Sequence, residues 1–476
     1  MILILVFLIT LLFFHWLTMK PRNYPPGPPC LPILGSIPFM KTNNFHLYLQ
    51  EIKKKYGPVI GFKVGMINLI GVVGTKEVNE IFTRPEFQGR PQIAYFDPGI
   101  MFSEGQFWLS QRRFTVRHLR DFGFGKKSIE NVILNEFDDF IHYVIKDKQI
   151  FQVSGIFNTS VVNILWAMIG GNRFSYADKD CRKLLETVTN LFRSGDVTGG
   201  LSNTFPILRK LFPFFFKREI SNRQTIDNFL KNAIKDHKKM ITDEPQDFID
   251  AYLKELEKKD PSLDPSFNEN TLVRVCNDIF TAGADTIGSS IGFCLLYTVL
   301  YPKWQDVIYE EIKQFRENET GSLLDNRKSF PKLEAFLTEV SRCNTIASIA
   351  VPHKSLKDTT LNGYFIPRNT TILVSIWAVL QDKSIWNDPE KFSPERFLDD
   401  EGNYKKTDGW MPVFGFGQRS CPGEIQAKNI IFLFFVSLIE KFKFSIPEGH
   451  PRPKTLCLGG FTNAPQPFEV KIEPRY

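Results

Sequence analysis

One cysteine in this chain has neighbours that could hold its sulfur as an anion. It is Cys421, inside Phe414-Gly-Phe-Gly417-Gln-Arg419-Ser-Cys421-Pro-Gly423. Glycines at 417 and 423 let the backbone turn tightly around the sulfur and leave main-chain N–H groups free to point at it. A helical run from Gln426 to Phe442 follows at once, and a helix N-terminus lowers the pKa of a thiol beside it. Arg419, two residues away, adds a fixed positive charge. A flat apolar cofactor with carboxylate tails would use all three features. The five fixed positions of F-x-x-G-x-R-x-C-x-G should meet by chance in about one in ten thousand chains of this length. A buried inert cysteine in a turn is the plain alternative, and it suits the other cysteines better.

A second segment, Ala282-Gly283-Ala284-Asp285-Thr286, lies within a long apolar helical pattern. An acid and a hydroxyl there are costly unless hydrogen-bonded or functional. Gly283 costs about 1 kcal/mol relative to alanine in a helix interior, and its missing side chain could open room for a diatomic ligand. Thr286 can bond the carbonyl of Ala282 and loosen the helix locally. Alone, the stretch reads equally as a small-residue packing face. Beside a thiolate-bound metal it reads as a groove with a proton path.

The cysteine loop resembles the haem-binding signature of the cytochrome P450 family, and further motifs similar to that family's follow in the family's order along essentially the whole chain. The resemblance implies the mainly α cytochrome P450 fold with minor β sheets. It implies haem b (iron protoporphyrin IX) with Cys421 as the iron ligand, and Asp285 and Thr286 as the pair that delivers protons for O–O cleavage beside Ala282 and Gly283. It implies that Phe414, Gly417 and Gly423 shape the loop. The haem propionates would be met by Trp108 and Arg112, one helical turn apart, and by Arg90, His353 and Arg419. For Arg90 and His353 a surface ion pair is the alternative. Glu339-Val-Ser-Arg342 is expected on the order of once per chain by frequency and carries weight only because Pro394-Glu395-Arg396-Phe397 follows. In the family such residues form a buried structural ion network.

Composition frames these sites. The chain has 476 residues, 43% of them hydrophobic, with 45 phenylalanines and a net charge of +7. Positive residues are spread rather than gathered in a stripe, which argues against a nucleic-acid binder and suits anionic lipid or an acidic protein partner. Seven cysteines at irregular spacing, without a C-x-x-C pair, argue against a disulfide framework or a zinc site. Residues 1–19 read as an uncleaved transmembrane anchor, since Lys20 and Arg22 follow the apolar run and should hold the remainder in the cytosol; a cleavable signal is the alternative. Residues 20–39, with Pro25-Pro26-Gly27-Pro28-Pro29, read as a stiff hinge. Residues 40–476 read as one large helical domain, with β-like stretches at Val59 to Val73 and Thr360 to Val374, the latter turning at Asn362-Gly363.

The segments Ile93 to Phe107, Phe280 to Ala284, Ile346 to Val351 and the tip at Phe461 are the expected pocket walls. They are mostly apolar and suit a small lipophilic substrate: a terpenoid, steroid, fatty acid or xenobiotic. Phe205 to Phe216, rich in Phe and Pro, is a candidate membrane-dipping loop. No flavin or nucleotide segment is read in the chain. The resemblance therefore implies electrons from NADPH through NADPH-cytochrome P450 reductase at the endoplasmic reticulum membrane, with cytochrome b5 as a possible second partner. The runs Phe107 to Gly125 and Gly459 to Pro467 are similar to the insect branch containing juvenile-hormone epoxidases and ecdysteroid hydroxylases. Oxygen insertion by a monooxygenase is the leading expectation. A haem-thiolate isomerase or dehydratase, and a non-catalytic haem sensor, are the others.

Overall fold

The computed structural model describes residues 18–41, 44–92, 99–194, 205–240, 242–258, 264–407 and 411–475. The apolar run Met1 to Leu17 lies outside them, as do residues 93–98 of one expected pocket wall. The architecture is helical, with small sheets at the margins, as expected.

Six helices position the site: α1 (Gly105–Asp121), α2 (Asn158–Ile169), α3 (Lys179–Ser194), α4 (Glu269–Leu300), α5 (Pro331–Cys343) and α6 (Glu424–Lys441). The central one, α4, is 32 residues long, about 48 Å at 1.5 Å per residue. Asn268 caps it, its side chain accepting from Thr271 N. Among the described residues α4 is the one helix long and apolar enough to cross a bilayer, but most of that stretch is buried, so it is a core helix. α6 is likewise sunk in the core. Pro331 opens α5 at a position where a missing N–H costs nothing.

Gly283 adds to one expectation. A Cβ added there would overlap Leu165 of α2. The glycine thus also serves a close approach of two helices, beside the cavity that it lines.

The main sheet has four strands: β1 (Val59–Val64), β2 (Ile67–Val72), β3 (His353–Lys354) and β4 (Thr371–Val374), in the order β1-β2-β4-β3. β1 and β2 form an antiparallel hairpin, Val59 opposite Val72, and β2 runs parallel to β4 with Leu69 beside Thr371. The expected turn of the second β-like stretch forms as read: Asn362 and Gly363 both have positive φ, 49° and 78°, between paired strands.

The proline segment is not a free linker. It lies along the outer edge of β1, where Gly61 N donates to the Pro26 carbonyl at 2.8 Å. Tyr24 is buried and donates to the Leu69 carbonyl at 3.0 Å. Gly27 has no room for a side chain, because a Cβ would overlap the Gly61 carbonyl. Prolines have no N–H to offer, which blunts the edge they cover.

The E-x-x-R motif forms the buried network expected of it. Arg342 Nε donates to Glu339 Oε2 at 2.6 Å and Nη2 to Oε1 at 2.9 Å, and Arg396 Nε reaches Oε1 at 3.1 Å.

Candidate functional site

A cavity of about 1090 Å³ lies between α4 and the cysteine loop. Of the residues singled out from sequence, Arg90, Trp108, Arg112, Ala282, Gly283, Thr286, His353, Phe414, Arg419, Cys421 and Gly423 line it. Gly417 and Asp285 do not.

The loop is built as its residues require. Cys421 N donates to the Phe414 carbonyl at 2.8 Å, closing the turn. Gly415 and Gly417 have φ of 69° and 67°, and a Cβ at Gly417 would overlap the Phe82 carbonyl. Gly417 therefore shapes the loop from behind. A Cβ at Gly423 would lie 3.9 Å from the cysteine sulfur, in ordinary contact with it.

Cys421 presents surface, but that surface faces the cavity. The thiol therefore titrates as a buried group: burial pushes it up, against the Gly423 N–H and the charge of Arg112. This corrects the expectation of a thiol lowered by the loop itself. Arg419 is turned away and bonds elsewhere, so a bound cation at the sulfur would have to supply the stabilisation.

Three guanidinium groups gather on the cavity wall. Arg419 Nε and Nη2 donate to the carbonyls of Gln88 and Ser103 at 3.0 and 2.9 Å, and its plane lies 3.9 Å over the Trp108 ring. Arg90 Nη1 donates to the carbonyls of Val351 and Pro352 at 2.9 and 3.0 Å. Arg112 Nη2 donates to the Ser420 carbonyl at 2.7 Å. Burial and the charges of Arg419 and Arg112 hold Arg90 well below its ordinary value, and burial and Arg112 bring Arg419 to about 10. Arg90 Nε, Trp108 Nε1 and Arg419 Nη1 are buried without a hydrogen-bond partner. Mutually repelling cations with orphaned donors are a receptor for anions.

His353 is fully buried and its Nδ1 lies 2.8 Å from the Phe87 carbonyl. Burial, then the nearby Arg90 charge, hold it well below its usual value, so the ring is neutral and its one proton serves Phe87.

On the other side, Thr286 Oγ1 donates to the Ala282 carbonyl at 2.8 Å, the bond expected from sequence. Asp285, its neighbour, is buried, and its Oδ2 accepts from Arg193 Nη2 at 2.5 Å and Thr462 Oγ1 at 3.0 Å. The apolar walls include Leu165, Phe192, Ile279, Ile346, Ala350 and Phe461. Phe280, expected in a wall, packs instead against Trp166 and Phe229, with 5.7 Å between centroids in each pair.

The family model for Cytochrome P450 matches residues 25–472. The chain belongs to the cytochrome P450 family. Farnesoate epoxidase of Bombyx mori is 33% identical, with 99% of this chain and 98% of that protein aligned. Cytochrome P450 2J2 of Homo sapiens is 36% identical over 90% of this chain and 87% of its own length. Cytochrome P450 2U1 of Homo sapiens is 32% identical over 99% and 93%. This P450 is accordingly a monooxygenase, of a family that works with haem and a cysteine thiolate, and the insect-type likeness read from sequence agrees with these relatives. The cavity fits such a group: a sulfur on one side, and an anion receptor on its rim for two carboxylates.

Sequence reasoning missed Asp278. It stands on α4, lines the cavity, and its Oδ2 accepts from Ile100 N at 2.7 Å and Met101 N at 2.8 Å. Burial pushes its carboxyl up from 3.8 to about 7, against those two N–H groups and Arg274. A folded pKa above the unfolded one means the folded chain binds this proton more tightly. The contribution to stability is therefore complete below the unfolded pKa and falls away as pH rises toward about 7. Asp278→Asn keeps an acceptor without the charge. Its stability relative to wild type should rise between pH of about 5 and about 8, by roughly 1 kcal/mol or more. Parallel pH profiles in chemical denaturation would refute this reading.

Proposed function

We propose that this P450 holds haem b through Cys421 and inserts one oxygen atom into a lipophilic, terpenoid-like substrate. The observation that carries it is the anion receptor of Arg90, Trp108, Arg112 and Arg419 on the same cavity as an accessible cysteine sulfur. When bound, the haem supplies the iron that activates O2.

The chain's own residues do the remainder. Cys421 would hold the metal through its sulfur, which the Gly423 N–H orients. Arg90, Arg419 and Trp108 would offer their orphaned donors to the propionates, with the charge of Arg112 on the same cavity. This pairing neutralises cations that otherwise repel each other across the rim. Thr286 holds a hydroxyl at the cavity wall with its proton on the Ala282 carbonyl, so its oxygen is free to accept a hydrogen bond from a group in the cavity. The apolar walls exclude water and accept hydrocarbon, and the likeness to an epoxidase of farnesoate supports a terpenoid. The test is turnover of terpenoid esters by purified enzyme with reductase, NADPH and isotopically labelled O2. One labelled oxygen in the product is expected; unlabelled product would point to rearrangement chemistry and end the monooxygenase reading here.

Residues 1–19 are proposed as the membrane anchor and residues 40–476 as the catalytic domain at the cytosolic face of the endoplasmic reticulum. Exposed apolar side chains support a membrane-facing surface: Phe214 and Phe215 are 80% and 76% exposed, and Ile207, Leu211 and Phe212 are exposed beside them.

The electron source is proposed to be the separate NADPH-dependent reductase, with cytochrome b5 a second donor. Arg113 and Arg117 are exposed on α1, whose other face brings Arg112 to the cavity, and Lys405 and Lys406 are exposed nearby in the chain before the cysteine loop. An acidic partner would find that surface by long-range attraction. Raising ionic strength from roughly 0.05 to 0.5 M should slow iron reduction by the reductase, because the Debye length shrinks severalfold. Salt-independent reduction would remove this docking argument.

A further inference from the structure

Two segments far apart in sequence close one wall of the cavity. The last turn of α3 supplies Phe192 and Arg193, and the chain after residue 459 supplies Gly460, Phe461 and Thr462. Phe461 N donates to the Phe192 carbonyl at 2.8 Å, and the two rings lie 5.9 Å apart. Gly460 permits this approach, since a Cβ there would overlap the same carbonyl. Arg193 Nη1 donates to the Thr462 carbonyl, and its Nη2 to Asp285 Oδ2 at 2.5 Å. Thr462 Oγ1 donates to that same oxygen at 3.0 Å. Phe192, Phe461 and Thr462 face the cavity, with Arg193 and Asp285 behind them.

We propose that Arg193 is a positioning residue that latches α3 to the C-terminal turn across the cavity wall. The same guanidinium keeps the Asp285 carboxylate behind that wall, so parting the two segments and freeing the acid beside Thr286 are one event. A planar fork suits this task, because it bridges a carbonyl and a carboxylate at once; an ammonium presents a single centre. Should substrate enter past this wall, helix and turn would have to separate where the latch sits. The proposal rests on the reading that this cavity holds haem and substrate.

The test uses full-length holoenzyme with clotrimazole, an apolar azole whose binding to the iron shifts the haem absorbance and can be followed without turnover. Hydrogen exchange is measured in parallel. In Arg193→Met, azole association and dissociation should both accelerate about tenfold, and amides of residues 460–463 should exchange about tenfold faster. Arg193→Lys should fall between Met and wild type, and Thr462→Val should shift both readouts the same way by less. These two keep the idea testable if Arg193→Met folds poorly. Arg173→Met removes a guanidinium paired with buried Glu136 and with Asp139, neither of them a latch residue, and should leave azole rates unchanged. Unaltered azole rates with unaltered exchange at 460–463 overturn the latch, as does acceleration spread evenly along the chain. A wild-type enzyme lacking the red-shifted ferrous–carbon monoxide spectrum would overturn the haem-thiolate reading; a wild type that has it, with variants behaving like it, overturns the latch alone.

Discussion

Cys421→Ser enzyme, reduced and exposed to carbon monoxide, is expected to lose the red-shifted absorbance of thiolate-ligated haem completely, and with it all oxygen insertion. The change is as small as chemistry allows. The backbone bond from residue 421 to the Phe414 carbonyl does not involve the side chain, and no buried volume of consequence is lost. What disappears is a polarisable anionic donor: a serine hydroxyl stays protonated at any accessible pH and pushes little electron density onto a metal. Because burial already pushes the Cys421 thiol up, an anion at this position depends on the metal it binds. The comparison variant is Cys181→Ser, whose thiol is buried in the main core beside Leu184 and Leu185. It should cost some stability and leave the spectrum intact. Retention of the red-shifted band by the Cys421→Ser protein, at full haem content, would disprove the ligand assignment and everything built on it.

What could be read from sequence was local. The cysteine loop, the Thr286 bond to Ala282 and the Asn362-Gly363 turn each lie within a few residues, where spacing alone fixes geometry. The helical character of the apolar run around Ala282 to Thr286 was legible for the same reason. Contacts between distant segments were not. Nothing near Gly283 names Leu165, more than a hundred residues earlier, as the side chain packed against it. The hydrogen bond Asp285 required could not be assigned a partner, because Arg193 precedes it by 92 positions. The proline segment read as a linker since extended chains give no periodic signal of the strand edge they cover. Asp278 went unnoticed because one acid in an apolar helix looks the same in sequence whether it caps a distant loop or faces solvent. The direction of the Cys421 shift was misjudged because Arg419, near in sequence, points to Gln88 and Ser103, and burial outweighs the Gly423 N–H and the charge of Arg112.

The largest loss of stability from one substitution outside the haem pocket is expected at Glu339. One of its oxygens accepts from Arg342 Nη2 at 2.9 Å, Ser393 N at 2.8 Å and Arg396 Nε at 3.1 Å, and the other takes Arg342 Nε at 2.6 Å. Arg342 is completely buried, with Nη1 on the Leu380 carbonyl at 3.0 Å and its plane 5.1 Å from the Trp386 ring. Glu339→Ala strands that guanidinium without a counter-charge, at a cost of about 3–5 kcal/mol. Against a total stability of roughly 5–15 kcal/mol, this should remove much of the protein able to fold around haem. The network joins α5 to the segment Pro394–Phe397, which leads toward the cysteine loop, so the loss should appear first as haem dissociation at moderate temperature. Removing both charges separates electrostatics from packing. Glu339→Leu combined with Arg342→Met leaves no fully buried cation unpaired and should lose less than Glu339→Ala alone, measured as holoprotein yield and melting at one fixed scan rate. A single variant that melts like wild type, or a double variant worse than the single, would show that shape rather than charge pairing holds this corner together.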